Sequence, residues 1–183
     1  MKEAHSGERV TNTHVYFWSG IFSNWFECKF KYKGITFFNS EQAFMWEKAV
    51  YFGDMETAGL IIKTPNPKEN KALGRKVKNF NTEQWLIVSF KVMVDVNYAK
   101  FTQNLRLKTA LLNTKAKTIV EASPVDKIWG VGLIWSNDNI LNESNWQGMN
   151  LLGKALMEVR KKIRSEYSEK QLEAIDIEFD FDN

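Results

Sequence analysis

The chain has 183 residues, a length that supports one ordinary domain with a sizeable core. One cysteine, Cys28, and two histidines rule out an internal disulfide and argue against a structural zinc site. The net charge of +3 hides an asymmetry: residues 166–183 carry seven acids against Lys170, a charge of −6, which leaves +9 on residues 1–165. A basic body suits a phosphate-bearing partner such as a nucleotide, an ADP-ribose conjugate or a nucleic acid, and it serves plain solubility equally well. No apolar run approaches about 20 residues, so no membrane-spanning helix is expected. The polar opening MKEAHSGERV lacks the apolar centre of a signal peptide, and a cytoplasmic protein is expected.

The first predicted element is a hairpin. In KFKYKGITF, Phe30, Tyr32, Ile35 and Phe37 alternate with polar residues on both sides of Lys33-Gly34. Asn39 then caps a helix, and Gln42 three residues later completes a capping-box-like pattern. Asp54 caps a short helix through Ile62, and Pro67 opens another to about Val77. Thr82 is the expected cap of a long helix over 83–103, with Trp85, Val88, Val92, Val96 and Ala99 on its apolar face. A further helix is expected from about Asn104 to Leu112. KTIVEAS reads as a short strand ending at Pro124, and the Gly-, Asn- and Ser-rich stretch 128–148 as a long loop. From Met149, Leu152, Leu156, Val159 and Ile163 mark a last helix. The fold class is α+β, a mostly helical single domain with a few short strands. It is divided into an N-terminal extension (1–14), the domain (15–165) and an acidic C-terminal tail (166–183). Within that tail Ile177, Phe179 and Phe181 alternate with acids, a strand-like pattern suited to docking on the body.

Glu41 is the residue out of place. At 100° per residue it shares a face with Phe44, Met45 and Lys48, and Phe37 and Phe38 precede it. A carboxylate against that much apolar surface loses hydration, which raises its pKa and suits proton transfer. The plainer reading is an exposed first-turn glutamate interacting with the helix dipole. A second carboxylate, Asp126, precedes Trp129-Gly130, where glycine lets backbone approach a ligand and the indole offers a stacking face. A turn aspartate and a core tryptophan fit the same residues. Two carboxylates with several tryptophans suit glycosidic bond cleavage, in which one group protonates the leaving group and another activates water or steadies an oxocarbenium ion.

Eight strings occur in order: FSNW, SEQAFMWEKA, GRKV, a Trp ahead of VM, AKFTQN, LLNT, IVEASPVDKIWGVG and WQGMNLLGKALMEVR. In combination they resemble the NADAR, or YbiA-like, family over roughly Val15 to Arg164. The resemblance implies a YbiA-like α+β fold. It also implies an N-glycosidase acting on an N-ribosyl bond, without a cofactor and without a metal. The implied substrates are ADP-ribosylated guanine, as nucleoside or in nucleic acid, or phosphoribosylamino-pyrimidine intermediates of riboflavin synthesis. The alternative is a non-catalytic module binding ADP-ribose, NAD or nucleic acid. Carried over by motif, Glu41 matches the catalytic glutamate, and Asp126 and Trp85 match two further positions associated with activity. Phe17, Ser23, Asn24, Ser40, Phe44, Lys48, Arg75, Trp129, Gly130 and Asn150 match substrate-binding positions, while Gly153 suits close helix packing. Trp25 stands where the family usually has Phe, Ser89 where a basic residue is common, and 135–143 reads as an insertion or a divergent loop. These departures bear on the substrate more than on the reaction.

Overall fold

The structure, a computed structural model, describes residues 7–172. The strand-like pattern at Ile177, Phe179 and Phe181 lies outside the described residues. The chain divides into two compact units, one formed by residues up to Ser23 together with those from Leu105 onward, the other by Asn24–Asn104.

The continuous unit opens with the expected hairpin. Strands β3 (Phe30–Tyr32) and β4 (Ile35–Phe37) pair antiparallel with Phe30 opposite Phe37, and the turn places Lys33 and Gly34 in the left-handed region. Helix α1 (Ser40–Tyr51) follows, capped by the Asn39 side chain, which accepts the Gln42 amide. Gln42 reaches back to accept the Phe38 amide and donates to the carbonyls of Ile61 and Thr64, so the box also ties α1 to the end of α2 (Met55–Lys63). Helix α3 (Pro67–Gly74) stops three residues before the predicted end, at a glycine. A Cβ on Gly74 would lie 1.9 Å from the Met45 Sδ, so its absence lets α3 lie against α1. Phe37, Trp46, Ile61, Val77 and Val96 form the core of this unit.

Helix α4 (Thr82–Thr102) corrects the sequence reading twice. Its cap is Asn81, whose side chain accepts the Gln84 amide, rather than Thr82. Its fully buried stripe runs Trp85, Ser89, Met93, Val96, Asn97, Lys100, with Val88, Val92 and Ala99 only partly covered at its edge. The apolar residues marked the flank, and the deeper face is half polar.

The discontinuous unit is built on a three-stranded sheet. Strands β1 (Glu8–Val10) and β2 (His14–Phe17) pair antiparallel, and β2 pairs parallel with β5 (Thr118–Glu121). Neither β1 nor β2 was predicted, and β1 falls within the segment read as an extension. Helix α5 (Leu105–Asn113) precedes β5, and α6 (Leu151–Arg164) packs on it. The intervening loop contains two single-turn 3-10 helices, Asp138–Leu141 and Glu143–Asn145, closed by the Trp146 indole donating to the Ile140 carbonyl. Gly153 fits the sequence expectation of close packing: a Cβ there would stand 2.0 Å from the Ile119 carbonyl oxygen of β5.

Candidate active site

The first turn of α1 places Glu41. The Glu41 residue is only 6% exposed, which removes the reading of a solvated first-turn glutamate. Its amide donates to the Asn24 carbonyl at 3.0 Å, fixing the helix start to the segment before the hairpin. Beside it the Ser40 hydroxyl donates to Asn97 Oδ1 at 3.2 Å, and Asn97 Nδ2 donates to Asn24 Oδ1 at 3.3 Å and to the Met93 carbonyl at 3.1 Å. This buried polar cluster joins three chain segments where Glu41 enters. A carboxyl group shielded from bulk water in this way can act on a proton or on developing positive charge in a bound substrate.

The apolar wall next to it is aromatic. Phe44 and Trp85 are both buried, with ring centroids 5.2 Å apart, and Tyr51 and Phe52 extend the cluster on the other side of the indole. Lys48 is engaged with the end of α3 and the segment after it: its Nζ donates to the Gly74 carbonyl at 2.8 Å and lies 3.8 Å from the centre of the Phe80 ring, and burial lowers its pKa. Arg75 caps α3 and is exposed.

A residue the sequence reading did not single out lies on α4. Lys100 is fully buried, between the rings of Phe26 and Phe101. Burial drives its pKa down to about 8, with the Cys28 thiol acting weakly in the opposite direction. The available signal was spacing: positions 89, 93, 96, 97 and 100 continue one stripe from Trp85.

In the discontinuous unit, Asp126 shapes the loop after β5. Its Oδ1 accepts the amides of Ile128 (3.0 Å) and Trp129 (2.8 Å), and its own amide donates to Ser123 Oγ at 3.1 Å. The turn reading of this aspartate therefore has a geometric basis, and Trp129 is half-buried in the loop it sets. Gly130 admits no side chain, since a Cβ would lie 2.9 Å from the Asp126 carbonyl oxygen and from Ser123 Cβ. Asn150 is 2% exposed and takes a left-handed conformation (φ 53°) just before α6. Its Oδ1 accepts the Glu121 amide at 3.0 Å and its Nδ2 donates to the Ile119 carbonyl at 2.9 Å. Phe17 is buried at the end of β2 with Phe22 against it, and the Ser23 amide donates to the Gly20 carbonyl. Among the described residues no three His, Cys, Asp or Glu side chains are grouped so as to hold a metal ion.

Comparison with known proteins adds a common ancestry to this geometry. The family model described as the NADAR domain matches residues 16–164. An N-glycosidase of Acanthamoeba polyphaga mimivirus is 42% identical over 78% of this chain and 86% of its own length. The N-glycosidase YbiA of Shigella boydii is 31% identical over 80% of this chain and 83% of its own. The NMR structure of E. coli YbiA superposes with a TM-score of 0.71 at 29% identity, covering 86% of this chain and 89% of that one.

Proposed function

The chain belongs to the NADAR family and is a hydrolase acting on N-glycosidic bonds, and on that premise we propose that it breaks the bond between C1′ of a ribose and a base nitrogen. The substrate is ADP-ribosylated guanine, as nucleoside or in nucleic acid, or a phosphoribosylamino-pyrimidine intermediate of riboflavin synthesis. The observation that carries this reading is the burial of Glu41 in the first turn of α1, next to an aromatic wall and a satisfied polar cluster. A pure binding module has no need of a carboxyl group buried at that place.

In the reaction, the C1′–N bond lengthens and positive charge develops on C1′ and the ring oxygen. A carboxylate at Glu41 stabilises that charge, or takes the proton of the attacking water. Water oxygen bonds C1′, and the departing nitrogen receives the proton. Trp85, held by Phe44, keeps bulk water from the carboxyl group and so strengthens its electrostatic effect. Phosphate is held by Arg75, which is exposed, rather than by Lys48, whose ammonium already serves Gly74 and Phe80. Asp126 acts by holding the Trp129–Gly130 loop, a positioning role.

The test is incubation of the full chain with ADP-ribosylated guanosine and with a phosphoribosylamino-pyrimidine in ¹⁸O-labelled water, followed by mass spectrometry. Release of guanosine with ADP-ribose, or of the free aminopyrimidine with ribose phosphate, with one labelled oxygen on the sugar product, is expected from one of the two. If both substrates survive enzyme at stoichiometric concentration, the reading fails.

A further inference from the structure

One face of α6, from Lys154 to Arg164, and Lys115 in the turn between α5 and β5 line an open groove of about 560 Å³ in the discontinuous unit. Its charged lining is Lys115, Lys154, Arg160, Lys161 and Arg164 against the single carboxylate of Glu158, with Met157 as an apolar floor. None of these residues belongs to the groups assigned to the chemistry above.

The helix dipole does not account for this arrangement. It would favour cations in the last turn, where Arg164 lies, but Lys154 stands in the first turns of α6 and Lys115 on a separate segment. Arg160 is committed to the fold: it is 9% exposed, and its Nη1 donates to Thr114 Oγ1 at 2.6 Å and to the Lys117 carbonyl at 2.8 Å. Arg164 is different. Its Nη1 is buried and has no hydrogen-bond partner among the described residues, and its guanidinium acts on Arg160 as a like charge. A buried donor of a permanently charged group without an acceptor is unfavourable, and an anion in the groove would satisfy it.

The shape of the charge indicates which anion. From Lys154 to Arg164 the cations follow the helix for about 15 Å, a line of charge rather than a point. A free phosphate or a mononucleotide meets one or two such cations; a phosphodiester chain meets the whole line. The lining holds no aromatic ring on which a base could stack, so contacts go to the backbone and are independent of sequence. From the unpartnered Arg164 donor and the linear cationic lining, we infer that this groove is a binding surface for the phosphate backbone of a nucleic acid. It goes beyond the reaction proposed above and stands or falls separately, because binding needs no cleavable bond.

The experiment uses the full chain and a fluorescein-labelled, unmodified single-stranded 12-mer, with anisotropy read at 50, 100 and 200 mM salt. Lys154→Glu/Lys161→Glu should weaken binding at least tenfold at 50 mM salt. It should also flatten the dependence of log Kd on log salt by about 1.4, the loss of two single-strand phosphate contacts. Lys154→Gln/Lys161→Gln should shift both in the same direction by less, which guards against a folding defect in the reversal. Lys63→Glu/Lys68→Glu, exposed cations on the other unit, makes the same net-charge change and should alter Kd less than threefold. Equal weakening by the control pair, unchanged binding in the groove variants, or no binding by the unaltered chain at 50 mM salt would overturn the inference.

Discussion

Replacing Asn150 separates a structural role from a ligand-binding one. The side chain joins α6 to two backbone groups of β5: it accepts the Glu121 amide and donates to the Ile119 carbonyl. Asn150→Gly keeps the left-handed φ of 53° at no steric cost and removes both bonds. Each buried group left unsatisfied costs roughly 1–3 kcal/mol, so a loss of about 3–4 kcal/mol is expected. Asn150→Ala should lose about 1 kcal/mol more, because a Cβ disfavours the left-handed conformation. Urea unfolding followed by tryptophan fluorescence measures this, with an unchanged m-value. A thermal midpoint about 10 °C lower should accompany it, at about 2–4 °C per kcal/mol for a chain of this size. If Asn150→Gly costs less than about 1 kcal/mol while the Michaelis constant rises, the bridge is not what holds α6 to β5 and Asn150 is a substrate ligand.

Glu41→Gln preserves size and helix propensity and should lower the turnover rate at least ~100-fold with stability nearly unchanged, measured by substrate cleavage beside a urea melt; wild-type turnover would remove Glu41 from the chemistry. Asp126→Asn retains an oxygen for the Ile128 and Trp129 amides and should stay folded, whereas Asp126→Ala should lose about 1–2 kcal/mol in the same melt. Lys100→Met should change the pH dependence of stability. The folded pKa of about 8 lies below the ordinary lysine value of 10.5, so the cost of burying the ammonium is full below pH 8 and fades as pH rises toward 10.5. The stability difference between wild type and Lys100→Met, from urea melts at pH 7 to 10, should therefore move in favour of the wild type across that window. Taking the difference removes most of the opposing effect of Tyr16 and Tyr32, whose raised pKa values make stability fall at high pH.

The elements whose signals are local were legible in the sequence. Phe30, Tyr32, Ile35 and Phe37 alternate around a Lys-Gly turn, and Asn39 with Gln42 announces a helix start, because both patterns are decided by neighbours in the chain. Strands β1 and β2 were not legible, since Glu8–Val10 and His14–Phe17 are short and β2 gains its second partner, β5, from a distant segment. The inner face of α4 was hidden for a different reason: Ser89, Asn97 and Lys100 are residue types usually found at the surface, and here all three are buried, Asn97 by bonding to Asn24 and Ser40. In the site, the burial of Glu41 follows from apolar neighbours at helical spacing. The left-handed Asn150 and the bonds of Asp126 depend on where the backbone lies, which composition does not encode.

The parallel pairing of β2 with β5 sets the order in which the chain can assemble. Register aligns Phe17 with Glu121, so closing that ladder from an unstructured chain means closing a loop of about 100 residues, an entropic cost of about 4 kcal/mol before any contact rewards it. The segment 24–104 is continuous and needs nothing from outside itself in sequence to form its hairpin and helices. Its two ends meet when it folds, with Gln103 bonded to Lys31 and Asn104 Nδ2 donating to the Lys29 carbonyl. Folding of that insert first turns a long-range closure into a short one. During synthesis β2 therefore emerges early and waits, and the sheet it belongs to is a late event whose speed is governed by an insert that contributes no strand to it.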